Sequence, residues 1–558
     1  MAQEVRLQGR TYSDVPSVRL PDSNGVFHPF TDVSDTTATA ADVATGKYFY
    51  LADGTKTQGT SSGGGGRGAV TQDQDGYLVL DDDAPAPSVT VESLSVTQNG
   101  TYTAPTGKAY SPVTVSVSGG TSKEAKQINF IDYDGTIVES YTAAEWANVS
   151  ALPSNPSHTG LTAQGWNWTK REITAQLTAS PNGDVWVGQM YVTTSGKTEI
   201  DVTFDNASFL SPYIAFSVVG TVTIDWGDGS ATDSVTGTSI SAAKYTQHTY
   251  SATGNYTISL AASDRLGLYT NSSGHTSILY VGSTADNQRA STAYSRGITN
   301  IRLGNGVTLY SYSFNKLPSL ETVTMPSSIT SLGSNYPFTL CTSLKSVTVP
   351  AGVTTLPSYA FNYCSSLTTV SIPPSITTFS GSIYAYATAL RGATIPKDAT
   401  TFNNYLFQHC YSLEKALLAS GITSLPAYMY YNCYTLKSAV IPSTVTSIGN
   451  GVFYNCTGLR EITIPSGVTT IGNSVFQTCS SIRHLTIPAT VTSIGNTAFS
   501  NMYGVTEFHV LRSTPPTLGT NVFQNIGSYT KIYVPSASLA SYQADSAWSA
   551  YSSYLVGE

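Results

Sequence analysis

The sequence repeats itself with a step of 23 residues. Residues 443–465, STVTSIGNGVFYNCTGLREITIP, are followed directly by SGVTTIGNSVFQTCSSIRHLTIP, with Ile, Phe, Cys and Pro at the same places. From about residue 298 the pattern recurs every 23 or 24 residues. A repeat of this length is typical of a solenoid, because one unit is too small to bury its apolar side chains alone and stacking supplies the core.

Each unit is predicted to contain a short strand closed by Pro, a loop with an inward Ile or Leu, and a helical turn. An aromatic residue and a Cys lie three residues apart, which places both on one face of such a turn. Ala387, Leu317 and Met502 take the cysteine position in other units, so this position favours an apolar group over a disulfide or a metal ligand. The predicted core ladder comprises Cys341, Cys364, Cys410, Cys433, Cys456, Cys479, Phe361, Phe407, Phe453 and Phe476.

Tyrosine is the informative surface residue. A column two residues before the core aromatic contains Tyr312, Tyr336, Tyr359, Tyr405 and Tyr428, and it changes to Gly451, Ser474 and Thr497 in later units. This offset points away from the core, so the column is expected to form an exposed stripe. Two interpretations stay open: recognition of a partner, and stacking between repeats with no partner. Further ligand-binding candidates crowd the next turn: Tyr363, Tyr386, Tyr411, Tyr431 and Tyr434.

The chain is expected to be modular, elongated and mostly β: small β modules and a β-sandwich, then a solenoid with a parallel sheet and short helical turns. The expected domains are an attachment module (1–60), a Gly-rich and acidic linker (61–90), a small β unit (91–120), a β-rich module with a Trp core (121–184), a β-sandwich (185–270), a connector (271–297), the solenoid (298–534) and a cap helix (535–558).

Composition excludes several function classes. Charged residues make up 11% of the 558 residues and the net charge is −8, so nucleic-acid binding has no electrostatic support. No apolar run is long enough for membrane insertion. The first residues, MAQEVRLQGRTYSDV, lack the pattern of a secretory signal, so we expect export by a route other than the usual one.

No constellation of catalytic residues is visible. The seven histidines are scattered, without metal-ligand spacing, and no nucleophile elbow or phosphate loop occurs. Asp225 and Asp228, in DWGDG, are interpreted as turn-capping residues in preference to cation ligands. We therefore expect no enzyme activity, no catalytic residues, no cofactor and no metal.

Three stretches resemble known families. The repeat resembles the BspA-type (Treponema-type) leucine-rich repeat, whose units read like IGxxAFxxCxxLxxIxIP, and this resemblance implies a leucine-rich-repeat solenoid and adhesion. VTIDWGDGSATDS with HTYSATGNYTISL resembles a PKD domain, which implies a spacer or sugar-related module. Residues 15–60, NGTYTAPTGKAYSPVTVSV and residues 128–169 resemble modules of tailed-phage appendage proteins.

The preferred functional hypothesis is a non-enzymatic phage appendage, a tail fibre or head fibre on the virion exterior, assembled in the bacterial cytoplasm. Its expected partners are a virion structural protein, through residues 1–60, and a host-surface glycan or protein, through the solenoid. A homotrimer would suit a fibre, although no coiled-coil heptads support it. The alternative is a BspA-like bacterial surface adhesin, and a third hypothesis is a polysaccharide-degrading or wall-degrading enzyme.

Overall fold

The computed structural model of the protein describes residues 127–179, 184–268, 297–418 and 421–558, and elsewhere only the backbone of short strands. The chain divides into two compact units, Met1–Lys123 and Glu124–Glu558. In the first unit the described elements are strands: β1 (Gln3–Leu7), β2 (Arg10–Val15), β3 (Arg19–Pro21), β4 (Phe27–Pro29), β5 (Tyr48–Tyr50), β6 (Lys56–Gln58), β7 (Val70–Gln72), β8 (Leu78–Leu80), β9 (Gly100–Tyr102) and β10 (Val113–Val115). Apart from these strands, the predicted attachment module, linker and small β unit lie outside the described residues, as does most of the connector.

The second unit begins with a small sheet that carries the tryptophans, here called the tryptophan module (residues 127–193). Its elements are β11 (Gln127–Ile131), β12 (Ile137–Thr142), α1 (Ala143–Trp146), β13 (Leu161–Trp166), α2 (Lys170–Ala179) and β14 (Val185–Thr193), in the strand order β12-β11-β14-β13. Phe130 packs edge-on against Trp166, with ring centroids 4.9 Å apart. The boundary at residue 184 placed β14 in the next domain, but β14 pairs with β11 and β13 and so completes this module.

The next strands cap the first coil of the solenoid. They are β15 (Thr198–Phe204), β16 (Tyr213–Asp225), β17 (Asp233–Gln247), β18 (Gly254–Ala262), β19 (Arg265–Leu268) and β20 (Leu279–Tyr280), which we call the capping sheet. They share one nine-stranded sheet with β21 (Ile298–Arg302), β22 (Val307–Leu309) and β23 (Thr322–Thr324) of the solenoid. The region predicted as a separate sandwich is therefore continuous with the solenoid, because it pairs with the backbone edge that the first coil exposes.

The remaining strands form two parallel ladders along the solenoid. In chain order they are β24 (Ser346–Thr348), β25 (Thr355–Leu356), β26 (Thr369–Ser371), β27 (Thr378–Phe379), β28 (Gly392–Ala393), β29 (Thr401–Phe402), β30 (Lys415–Leu417), β31 (Ser424–Leu425), β32 (Ser438–Val440), β33 (Ser447–Ile448), β34 (Thr470–Ile471), β35 (His484–Ile487), β36 (Ser493–Ile494), β37 (Glu507–Val510), β38 (Thr517–Leu518), β39 (Lys531–Val534) and β40 (Leu555–Gly557). One ladder contains the strands before the Pro, and the other contains the loop column. Val347 pairs with Val370 and Ile448 with Ile471, so the register follows the 23-residue step.

The predicted helical turn on the third side of each coil is a single hydrogen-bonded turn, in which the N–H of Cys341 donates to the carbonyl oxygen of Phe338 at 3.2 Å, and it does not extend into a regular helix. The N–H of Tyr336 donates to the carbonyl oxygen of Ser358 at 2.9 Å, and that of Phe338 to Ala360 at 3.0 Å, both in the next coil. A helix would instead close these hydrogen bonds within its own turn. We call this segment of each coil the turn segment, and the surface that the turn segments form the turn face; the surface of the strands before the Pro is the strand face.

The core is a set of continuous columns. The inward aromatics stack from Phe314 to Phe523, with ring centroids of consecutive coils 4.9–5.9 Å apart. All six cysteines are buried free thiols. The Sγ of Cys364 donates to the carbonyl oxygen of Phe338 at 3.0 Å, and the other five make the same contact one coil back. Burial raises the pKa of Cys341 to about 12, so this thiol stays protonated.

The C-terminal segment closes the solenoid with less helix than predicted. Only α3 (Leu539–Ala544) is α-helical, between 3₁₀ turns at Ser536–Ser538 and Trp548–Tyr554, and β40 then extends the strand ladder. The buried Trp548 donates its Nε1–H to the carbonyl oxygen of Pro516 at 2.8 Å. Within the described ranges, no helix has the length and apolar character needed to cross a membrane.

Candidate binding surface

The tryptophan module covers the strand face of the early coils. Its side chains donate to main-chain carbonyls in three consecutive coils: Asn167 Nδ2 to Val349 (2.9 Å), Trp168 Nε1 to Ile372 (2.8 Å) and Gln176 Nε2 to Ile395 (2.9 Å). These acceptors are 23 residues apart and occupy one column of the repeat. The strand face of these coils is therefore occupied by the chain itself.

The turn face is built on an unusual backbone. In the described part of the chain, every non-glycine residue with a positive φ lies at one of two positions of the turn segment, four residues apart. The first position contains Tyr312, Tyr336, Tyr359, Ser382, Tyr405, Tyr428, Ser474, Thr497 and Asn521, and also Gly451. The second contains Lys316, Leu340, Tyr363, Tyr386, His409, Asn432, Asn455, Thr478, Asn501 and Asn525. The left-handed residues let the turn segment direct its N–H groups to the next coil.

A tyrosine is a costly residue at such a position. Left-handed backbone costs an L-residue other than Gly about 1–2 kcal/mol, and Asn or Asp tolerate it best. The later coils use Gly, Asn, Ser and Thr there, whereas seven of the left-handed residues in the earlier coils are tyrosines. The backbone therefore does not explain the tyrosines, and their side chains must.

The tyrosines of the first position stack face to face. The ring centroids of Tyr312 and Tyr336 are 5.0 Å apart, those of Tyr336 and Tyr359 are 4.6 Å apart, and the planes lie within 7° of parallel. Tyr405 and Tyr428 form a second stack, at 5.0 Å. Ser382 stands between the two stacks, so the ladder has one empty place.

The second position forms a parallel ladder beside the first. Tyr363 stacks on Tyr386 at 4.4 Å, and Tyr386 stacks on the imidazole of His409 at 4.3 Å. This ladder is continuous through the coil in which the first one is interrupted. Tyr363 is 43% exposed, which leaves its outer face free for a ligand.

The other tyrosine candidates flank these ladders. Tyr411 stacks on Tyr434 at 5.1 Å, and both are more than a third exposed. Tyr431 is half-buried and stacks on Tyr454 at 4.7 Å. Tyr454 was not among the predicted residues, although it stands one repeat after Tyr431. The tyrosines thus do stack between coils, as one of the two interpretations expected. The exposed parts of their rings are still accessible to a partner.

The surface of these ladders is uncharged near neutral pH. Burial raises the pKa of Tyr336, Tyr386, Tyr431 and Tyr434 above the ordinary value for tyrosine. Burial also lowers the pKa of His409, which favours its neutral form. A ligand here would be held by aromatic faces and hydrogen bonds.

The DWGDG turn of the capping sheet has a structural role. Asp225 accepts a hydrogen bond from the N–H of Gly227 (3.0 Å), and Asp228 accepts one from the N–H of Ser230 (3.0 Å). The second carboxylate oxygen of Asp228 lies 2.8 Å from Nε2 of His248. The residues of WGDG and HTY therefore meet in one cluster that fixes the turn. Among the described residues, no group of three or more His, Cys, Asp or Glu side chains is arranged to hold a metal ion.

Residues 290–414 and 423–546 match the family model of the BspA type leucine rich repeat region, in six copies. The resemblance of the repeat to the BspA-type leucine-rich repeat is thus confirmed for these residues. The PKD-like and phage-like resemblances have no counterpart in this match. No curated protein matches the chain.

Several solved structures are similar to part of the chain. A leucine-rich repeat protein from Bacteroides ovatus ATCC 8483 is 20% identical, with 43% of this chain and 80% of that chain covered and a TM-score of 0.29. The T. pallidum leucine rich repeat protein is 22% identical, with 36% and 81% covered and a TM-score of 0.26. A leucine rich cell surface protein from Faecalibacterium prausnitzii A2-165 is 19% identical, with 45% and 83% covered and a TM-score of 0.24. The family model, and not these similarities, carries the assignment of the repeat region.

Proposed function

We propose that the protein is a non-catalytic surface adhesin of the BspA-like kind, whose turn face recognises a glycan or protein on another cell. One observation carries this proposal: the chain places tyrosines at left-handed positions where Gly or Asn would be less strained. Tyrosines fill these positions only in the earlier coils, and Gly, Ser, Thr or Asn fills them in the later coils, which indicates tyrosine side chains selected for what they contact.

The composition of this face supports recognition. Tyr, Ser and Asn surround the two ladders, and this combination gives large rigid contact area with adaptable hydrogen bonding. Stacking has already restricted the tyrosine rings, so a ligand that packs on them orders little more. The coils repeat the same surface at a constant step, so weak contacts can add along one ligand.

The surface-adhesin hypothesis now takes the place of the phage appendage that we preferred from the sequence. The match to the BspA-type model supports an adhesion module. The phage hypothesis depends on three short stretches, two of which, apart from short strands, lie outside the described residues, and the matches reported above give it no support. Attachment to a virion, virion localisation and a trimer therefore form no part of the proposal.

Binding of the labelled full-length protein to a panel of intact bacteria tests the proposal. The variant Tyr359→Ala/Tyr405→Ala/Tyr428→Ala removes tyrosines from the first position of three coils. The matched control, Ser474→Ala/Thr497→Ala/Asn521→Ala, changes the same position of three later coils. We expect strain-specific binding that the tyrosine variant loses at least tenfold and the control retains.

Equal binding by the tyrosine variant and the wild type would contradict a recognition role for this face. Prior periodate oxidation of the cells separates glycan from protein ligands, because it cleaves vicinal diols of sugars. A panel of glycans incubated with the protein tests the absence of catalysis, and release of reducing ends would favour the enzyme hypothesis.

A further inference from the structure

The empty place in the first tyrosine ladder is a slot of defined width. Tyr359 and Tyr405 form its two walls, one coil on either side of Ser382. Neighbouring rings of this ladder lie 4.6–5.0 Å apart, so two steps separate the walls by roughly 9–10 Å. Among the described residues, Tyr359 stacks only on Tyr336 and Tyr405 only on Tyr428, so the faces that look into the slot contact no other ring.

The floor of the slot is small and polar. Gly381 and Ser382 occupy the coil between the walls, and no hydrogen bond to the Ser382 hydroxyl occurs in the described part of the chain. Asn403 and Asn404 of the next coil are exposed. The carboxamide oxygen of Asn404 accepts the N–H of Ala427 at 3.0 Å, which fixes its orientation and leaves its NH₂ group directed elsewhere. The floor thus offers a hydroxyl and amides to a ligand that carries hydroxyls.

We infer that this slot binds one neutral pyranose ring of a glycan, held between Tyr359 and Tyr405. The inference rests on the proposed function and specifies its ligand class. The C–H bonds of a pyranose face carry partial positive charge and pack on the negative face of an aromatic ring. The two walls provide such a face on each side of the sugar.

The width of the slot favours a sugar over an aromatic side chain from a protein partner. A flat ring in van der Waals contact with one wall, at about 3.5–4.0 Å, leaves the other wall about 6 Å away. A chair-shaped ring with hydrogens on both faces is thicker and contacts both walls. A tyrosine of the chain itself at position 382 would fill the space between Tyr359 and Tyr405. The chain has Ser382 there, which leaves this space to a ligand.

The charge around the slot indicates a neutral sugar. Residues 351–390 and 399–413 contain no Asp, Glu, Lys or Arg. A sialic or uronic acid carries a carboxylate that would find no cationic partner there. Tyr405 is 36% exposed, so the slot opens to solvent on the turn face and can accept a ring that remains part of a longer chain.

Saturation-transfer NMR on the full-length protein tests the inference directly. The probes are methyl β-D-glucopyranoside, methyl β-D-galactopyranoside and methyl α-D-mannopyranoside, with N-acetyl-L-tyrosinamide as a flat-ring probe. Ser382→Tyr fills the slot with the residue that the other coils use, so it keeps the fold and closes the site. Ser474→Tyr adds a tyrosine at the same position of a later coil and serves as the control.

We expect at least one pyranoside to receive saturation from tyrosine ring protons in the wild type and in Ser474→Tyr. Ser382→Tyr should weaken this binding at least tenfold, and Tyr405→Ala, which removes one wall, several-fold. Unchanged sugar binding by Ser382→Tyr would overturn the inference. So would binding of N-acetyl-L-tyrosinamide alone, because the slot would then suit a protein side chain.

The cell-binding assay separates this inference from the proposed function. Strain-specific cell binding that depends on the tyrosines, without any pyranoside binding, overturns the slot and leaves the adhesin proposal standing. Pyranoside binding that Ser382→Tyr abolishes supports the slot even where no cell binding is found, and in that case the adhesin proposal fails alone.

Discussion

The earlier and later coils of the solenoid share one backbone but present different surfaces. The two left-handed positions recur throughout, with φ between 53° and 67° at the non-glycine residues. In coils 312–434 these positions contain mostly aromatic residues, and in coils 451–525 they contain Gly, Ser, Thr and Asn. The comparison shows that the fold needs only a left-handed residue there, so the aromatic rings are an addition to the fold.

His409 marks the boundary between the two surfaces. Its ring stacks on Tyr386 at 4.3 Å on one side. On the other side its Nδ1 lies 3.3 Å from Nδ2 of Asn432, and Oδ1 of Asn432 accepts a hydrogen bond from Nδ2 of Asn455 at 3.0 Å. An aromatic stack thus gives way to an amide ladder at the same position of the repeat. Imidazole suits the junction because it has both an aromatic face and ring nitrogens.

The largest expected effect is the loss of stability on removal of a core aromatic ring. It tests whether the core contributes equally to stability in the earlier and the later coils. Phe407→Ala and Phe476→Ala each remove a fully buried ring of the inward stack. We expect each to lower the free energy of unfolding by about 3–5 kcal/mol, measured by urea denaturation with tryptophan fluorescence. Tyr405→Ala, two residues from Phe407 but outward, should cost less than about 1 kcal/mol, since the Tyr405 ring is 36% exposed and loses only its stacking on Tyr428. A larger loss in one half than in the other would break the equivalence of the cores.

One methyl group added where the tryptophan module contacts the solenoid should lower the stability of the protein. A Cβ at Gly188 would lie 2.1 Å from Oγ1 of Thr348, so Gly188→Ala should destabilise the protein by about 1–3 kcal/mol. Thr348→Ala removes the two nearest atoms and should recover part of the loss in the double variant. Gly421→Ala in a coil outside the docked region, where a Cβ meets no atom within 4 Å, is the control and should have little effect. Additive effects of the two substitutions would argue against direct contact.

A smaller effect is expected where the aromatic ladder ends. Gly451 has φ +60°, and a Cβ there would lie 2.6 Å from the ring of Tyr428. Gly451→Ala should cost about 1–2 kcal/mol, from backbone strain and from the displaced ring. Adding Tyr428→Ala should remove the part due to the ring. Ser474→Ala, at the same position one coil later, should change the stability little because Ser already carries a Cβ.

The smallest effect is a pH dependence that arises from His409. Burial lowers its pKa in the folded state below the value near 6.5 of an unfolded chain. Above pH 6.5 the imidazole is neutral in both states and contributes no pH dependence. As pH falls below 6.5 the unfolded chain binds the proton first, so stability declines until the folded pKa is reached. The fall in urea midpoint between pH 7.5 and pH 5.5 should be smaller in His409→Gln, and an identical fall would refute this assignment.

The 23-residue period by itself determined the parallel register, the inward aromatic and cysteine columns and the outward tyrosine column. These follow from the sequence because each coil contacts only its neighbours, so one period fixes every such contact. Tyr384 and Tyr430 stand 23 residues from core phenylalanines in the sequence, and both are fully buried. The period located the tyrosines two residues from the core aromatic without showing that they stack.

Only the tertiary structure decided the conformation of the turn segment. A three-residue spacing fits a helical turn, and hydrogen bonds between coils, which no local pattern records, impose left-handed residues instead. The docking of the tryptophan module was equally hidden, since Asn167 and Val349 are 182 residues apart. The pairing of the capping sheet with the first coil also joins distant strands. The period predicts contacts within a repeat and between successive repeats. It does not predict contacts between the repeats and segments of different sequence, because these form only when both segments are folded.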